Sequence, residues 1–177
     1  RIIRQLHKVN VRDITVVVGF MKESYEYLID DYQVELLVNM EYSQKNNLHS
    51  LNRAKNKIEN AYIIPCDIWC GENPFHHNEL YSWYMINELM DDESNIRVNR
   101  KQELVWTDQG GNQMIGISYI TGEAVHSLKQ HLTELDSNPL YQHSFWEEAL
   151  FEKDKMIVFS RLVNSRMTYE INTYEQL

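Results

Sequence analysis

The apolar positions of the first third alternate between two periods. Residues 1–9 place Ile2, Ile3, Leu6 and Val9 at helical spacing. The run Ile14-Thr15-Val16-Val17-Val18-Gly19 is β-branched without a break and predicts a strand buried on both faces. Residues 22–31 predict a second helix, with Tyr25 and Leu28 on one side, and residues 34–38 a second strand. A polar loop over 39–47 leads into a third helix over 48–59. The next stretch, 60–67, is a short apolar run that ends abruptly in Asp67. Helix and strand in strict alternation predict a parallel sheet covered by helices.

The second half changes character. Residues 80–86, 103–107 and 113–119 read as strands, separated by the turn clusters Asp91-Asp92-Glu93-Ser94-Asn95 and Asp108-Gln109-Gly110-Gly111-Asn112. Antiparallel strands, or a small excursion from the main sheet, are expected there. Residues 122–135 predict a helix with Ala124, Val125, Leu128 and Leu132 on one face. A short helix over 145–151, a strand over 156–159 and an extended piece over 169–172 follow, and the last residues enter another helix. With no repeat, low-complexity tract or linker, residues 1–177 are expected to form one domain. The chain opens on Arg1, already inside a helical pattern, so further residues upstream are expected.

Composition narrows the function classes. A content of 43% hydrophobic residues in 177 allows a packed core, and a net charge of -9 argues against non-specific binding to nucleic acid or anionic membrane. A nucleotide substrate stays open, because metal ions screen phosphates. No apolar run approaches the roughly 20 residues that span a bilayer, and a signal peptide is not expected. Two cysteines, Cys66 and Cys70, make a disulfide framework untenable and the cytoplasm the expected compartment. Cys66, Cys70, His76 and His77 have the types that bind zinc. Adjacent histidines rarely reach one ion, so small buried hydrophobes are the expectation for the cysteines.

Asp67 is the first candidate for chemistry. Ligands of α/β sheets bind beyond the carboxyl ends of strands, and a carboxylate there can hold a divalent metal against a phosphate. The competing role is a solvated turn residue or helix cap.

Five segments, in order, then resemble the bacterial nucleotidyltransferases of the sugar-phosphate class, and among them the CTP:phosphocholine cytidylyltransferases. They are the opening helix with residues 13–23, Asn46-Asn47-Leu48-His49-Ser50-Leu51, Tyr62-Ile63-Ile64-Pro65-Cys66-Asp67, Gly116-Ile117-Ser118-Tyr119, and Tyr169-Glu170-Ile171-Asn172 preceded by Phe145-Trp146-Glu147-Glu148. The resemblance implies a mixed, mainly parallel Rossmann-like α/β sheet with helices on both faces. Its first strand and its Gly-rich loop with Arg and Lys are not among these residues. That leaves an open apolar edge at Val16 to Val18, and predicts that these residues alone do not turn over.

The implied reaction transfers a nucleotidyl group from an NTP, CTP by preference, to a phosphomonoester such as phosphocholine, with release of pyrophosphate. Mg2+ would be held by Asp67 and Asn172. Pro65 stands where the family usually has a further acid, and Asn172 where it often has Asp; Asn172 could equally cap a turn before Thr173. A quaternary ammonium needs aromatic faces and a nearby acid. Trp83, Tyr84, Tyr119 and Trp146 are the candidates, with Glu147 or Glu148, set against plain core packing. Asn46, Asn47 and Ser50 would face the nucleotide and acceptor, or Asn47 would cap the third helix. A sugar 1-phosphate acceptor and a non-catalytic α/β binding module are the alternatives. An oligomer or a fused domain stays open.

Overall fold

A computed structural model of the chain describes residues 1–151 and 156–176. The first third follows the predicted alternation: α1 (Ile2–Lys8), β1 (Thr15–Val18), α2 (Tyr27–Tyr32), β2 (Glu35–Val38), α3 (Asn47–Arg53) and β3 (Ala61–Ile63). β1 and β2 pair in parallel, Thr15 opposite Glu35 through Val18 opposite Val38. The helix expected over 22–31 is divided. Met21 adopts a left-handed φ of 50°, a 3-10 turn covers Lys22–Tyr25, and α2 starts afterwards. The helix expected over 48–59 likewise stops at Arg53 and continues as a 3-10 turn, Lys55–Lys57.

β3 stops at Ile63 because Pro65 has no N–H to give to a ladder. Asp67 therefore lies in the turn after the strand rather than at its end, and β4 (Ile68–Cys70) follows at once. The second half comprises β5 (Trp83–Asp91), β6 (Ile96–Val98), β7 (Leu104–Trp106), β8 (Gly111–Ile120), α4 (Glu123–Asp136), β9 (Phe159–Val163) and β10 (Thr168–Glu170). Of the strand expected over 156–159, only Phe159 is in β9, which runs on to Val163. The terminal helix is a 3-10 turn, Tyr174–Gln176; Leu177 lies outside the described residues.

Four strands form the main sheet in the order β3-β8-β5-β9, with β5 and β9 parallel and the other neighbours antiparallel. β6 pairs with β7, and β4 with β10, both antiparallel. Parallel and antiparallel pairs mix, as expected of the fold class, but among the described residues most strand pairs are antiparallel rather than parallel. Among the described residues β1–β2 is not hydrogen-bonded to the main sheet.

Alternation along β5 sends Tyr84 and Ile86 into one hydrophobic cluster and Trp83 and Met85 into another. The first cluster is roofed by Leu48 of α3, by Leu128 and Leu132 of α4, and by Trp146 and Leu150 of a 3-10 turn, Trp146–Leu150. The second is closed by Leu6 of α1, Ile68 and Cys70 of β4, and Phe75. The main sheet is thus covered on both faces.

Candidate active site

The pairing of β5 with β8 is interrupted. Tyr84 lies opposite Ser118, and the next pair is Ile86 with Met114, so β8 carries extra residues at this point. Gly116 takes up the irregularity at φ +82°, a conformation that side chains disfavour. A β-carbon at 116 would stand 2.5 Å from Pro65 Cγ and 3.8 Å from Glu147 Oε1. The bulge therefore brings three distant segments together: the turn carrying Asp67, the middle of β8, and the turn carrying Trp146 and Glu147.

Glu147 is the unusual group of this junction. It is only 8% exposed, and its Oε1 accepts a hydrogen bond of 3.0 Å from the Tyr84 hydroxyl. Its Oε2 is buried and has no hydrogen-bond partner among the described residues. Burial pushes the carboxyl up to about 7, even with the Tyr84 bond pulling the other way. Burial, together with Glu147, holds the Tyr84 phenol well above its ordinary range. Trp146 packs beside Tyr84, ring centroids 6.0 Å apart. The arrangement is a carboxyl and two aromatic rings with no cation among them.

α3 enters the same junction. Asn47 Oδ1 accepts from the Trp146 backbone N–H at 2.8 Å. Asn46, not Asn47, is the N-cap; its Oδ1 accepts from the Asn47 N–H, and its Nδ2 donates to the His143 carbonyl. Ser50 Oγ accepts from Asn39 Nδ2 at 3.0 Å. Asn46 and Ser50 brace the start of α3, and Asn47 ties it to the turn of Trp146.

Asp67 and Asn172 approach through backbone pairing. β10 runs antiparallel to β4 with Glu170 opposite Ile68, and the ladder is extended by the Ile171 N–H donating to the Asp67 carbonyl at 2.8 Å. The two residues thus stand at one end of one ladder. The donor set suits a hard cation. The Asp67 carboxylate makes no hydrogen bond or ion pair with another described residue, and Asn172 gives its Nδ2 to Glu170 Oε1, which leaves its Oδ1 open.

Other expectations disperse. Trp83 and Tyr119 lie in the second cluster, on the face of the sheet opposite Trp146 and Glu147. The period of two decides this, so Tyr84 rather than Trp83 meets Trp146. No group of three or more His, Cys, Asp or Glu residues among the described ones could hold a metal ion, which disposes of zinc. Cys70 is buried, while Cys66 is exposed because Pro65 has already ended the strand. His77 faces the Val9 carbonyl, and His76 faces Glu79.

No single residue in the sequence marks out the Gly116–Pro65 contact; the only signal was that both fall in segments carrying the resemblance. Asn39, buried and bonded to Ser50, gave no signal at all.

No family model matches the chain. A choline-phosphate cytidylyltransferase of Streptococcus pneumoniae is 22% identical over 96% of this chain and 77% of its own length. One of Haemophilus influenzae is 24% identical over 96% and 76%. The chain is homologous to bacterial choline-phosphate cytidylyltransferases. A 2-aminoethylphosphonate cytidylyltransferase of Lancefieldella rimae is 25% identical over 84% of this chain and 64% of its own length. In three dimensions, the structure of the CTP:phosphocholine cytidylyltransferase of S. pneumoniae matches 98% of this chain and 79% of its own, with a TM-score of 0.86 at 20% identity. The fold is that of the nucleotidyltransferases. No helix among the described residues is long and apolar enough to cross a membrane.

Proposed function

We propose that the protein to which these residues belong transfers the cytidylyl group of CTP to phosphocholine, in a Mg2+-dependent reaction that releases pyrophosphate. The observation that carries the reading is Glu147: a buried carboxyl with one oxygen unpartnered, set against the rings of Tyr84 and Trp146. A ligand cation is the partner such a site lacks. Trimethylammonium suits the ring faces, and the charge of Glu147 then balances it.

In this reading the acceptor phosphate points past Gly116 and Pro65 toward Asp67. One of its oxygens attacks the α-phosphorus of CTP in line, and the bond from that phosphorus to the bridging oxygen of pyrophosphate breaks. The chain's own contribution is positioning. Glu147 anchors the ammonium end, Asn47 fixes the backbone of Trp146, and Gly116 lets the segments approach. Asp67 and Asn172 would hold Mg2+, which when bound neutralises phosphate charge. Trp146 and Tyr84 are buried without ligand, so entry of the acceptor displaces the turn of residues 146–150.

A sugar 1-phosphate has no cation to satisfy Glu147. An aminoethyl acceptor does, but its primary ammonium prefers hydrogen bonds to ring faces, which ranks it second.

Calorimetric titration with phosphocholine tests the acceptor site without requiring turnover. Binding is expected in the wild type and is weakened by Glu147→Gln and by Trp146→Ala. Equal affinity in the wild type and Glu147→Gln would sink the assignment. For the metal, Asp67→Asn in a protein that also carries the family's Gly-rich loop is expected to abolish Mg2+-dependent pyrophosphate release while leaving phosphocholine binding in place.

A further inference from the structure

α1 presents a face that the site above does not use. His7 and Lys8 lie three and four positions after Arg4, so each neighbours Arg4 on the helix surface. The chain reverses after α1 through Asn10, at φ 62°, and Arg12 joins the same side. With Asp31 and Tyr32 at the end of α2 they line a cleft of about 660 Å3. None of the six belongs to the junction around Asp67, Gly116 and Glu147.

The electrostatics of this cleft oppose those of the whole chain. The protein carries 26 acidic against 17 basic residues. Inside the cleft, Arg4, Lys8 and Arg12 face a single carboxylate, Asp31. None of the three cations forms an ion pair with a described residue. Like charges four apart on a helix, as Arg4 and Lys8 are, destabilise it. His7 Nε2 is buried with no hydrogen-bond partner. Tyr32 forms a wall, with the Arg4 guanidinium 5.7 Å over its ring and His7 6.5 Å away. The helix ends alone account for one basic side chain near the carboxyl terminus of α1, but not for three converging on a concavity.

We propose that this cleft binds a small, soluble anion that carries phosphate. Arg12 and Arg4 offer planar forks suited to phosphate oxygens and Lys8 a point charge. His7 supplies a further polar contact. Three cations against one carboxylate leave an excess positive charge of about the size of the negative charge on a phosphate group. The overall charge of -9 repels an anionic bilayer, so a dissolved ligand is favoured over a lipid surface.

The test is a titration of isotope-labelled protein with inorganic pyrophosphate at low ionic strength and without metal, read as NMR shifts. Saturable shifts are expected at residues 7–12 and 31–33, and equally in Asp67→Asn, which separates this cleft from the catalytic junction. The exposed-residue variant Arg4→Gln/Lys8→Gln/Arg12→Gln is expected to weaken binding about tenfold or more. Asp31→Asn, which removes the opposing charge, is expected to tighten it. No saturable shift at these residues, shifts confined to the surroundings of Asp67, or no tightening in Asp31→Asn overturns the proposal. Co-sedimentation of the wild type with phosphatidylglycerol vesicles, lost in the triple variant, overturns the assignment to a dissolved ligand.

Discussion

The two faces of the main sheet each bury a carboxylate among aromatic rings, and only one of them contains its cation. On the second face, Arg161 clasps Glu79 with two bonds of 2.8 and 2.7 Å and lies 3.6 Å over the Trp83 ring. Tyr62 donates to Glu79 as well and meets Trp83, Phe75 and Tyr119 edge-on. Burial would raise Glu79, but the Arg161 and Tyr62 bonds outweigh it and hold the carboxyl below its ordinary range. On the first face, Glu147 has Tyr84 and Trp146 but no cation among the described residues, and burial wins. The same ingredients give a finished structural ion pair in one place and an unfinished site in the other. The difference is that, among the described residues, a positive charge accompanies Glu79 and none accompanies Glu147.

The largest effect should come from damaging the finished side. Arg161→Ala strands the Glu79 carboxylate, and a loss of about 3 kcal/mol in urea unfolding is expected. A negligible loss would show that the two faces do not differ as described.

Next comes the pH response of the unfinished side. The Glu147 carboxyl titrates at about 7 when folded, above its unfolded value. Its protonated form is therefore the stable one, and stability falls as pH rises from the ordinary carboxylate range through about 7. Glu147→Gln should remove this slope and be more stable than the wild type above neutrality, by roughly 3 kcal/mol at most. Phosphocholine needs the ionised form, so wild-type affinity should climb across the same interval. The variant should bind about tenfold to a hundredfold more weakly at pH 8. A flat pH profile for both quantities would remove the contrast with Glu79.

Gly116→Ala sharpens the comparison further, because it alters the route to Glu147 without touching Glu79. The left-handed φ and the clash with Pro65 should cost about 2 kcal/mol. The smallest effect is expected from Asn47→Ala, which frees the Trp146 N–H and should lower stability by about 1 kcal/mol, with a parallel loss in phosphocholine affinity.

Much of this was legible in the residues. The β-branched run before Gly19 gave β1, the apolar stripe of Ala124, Leu128 and Leu132 gave α4, and the adjacent Trp146 and Glu147 were singled out as a ring with an acid. These signals are local, and local periodicity survives without knowledge of partners. The face on which Trp83 lies was not legible, because a register shifted by one residue exchanges the two faces. The Glu79–Arg161 pair joins residues 82 positions apart, and nothing near either one announces the other. β6 was missed because its three residues are too few to establish a period. The cap fell to Asn46 rather than Asn47 because either amide can cap, and the Trp146 N–H takes Asn47.

The ladder between β4 and β10 also sets an order of events. It joins Cys70 to Thr168, more than half the length of the chain apart, and such distant pairings close late. On the ribosome, Asp67 emerges long before Ile171 and Asn172 exist. The end of the ladder that brings Asp67 beside Asn172 therefore forms only after both of its strands have been made.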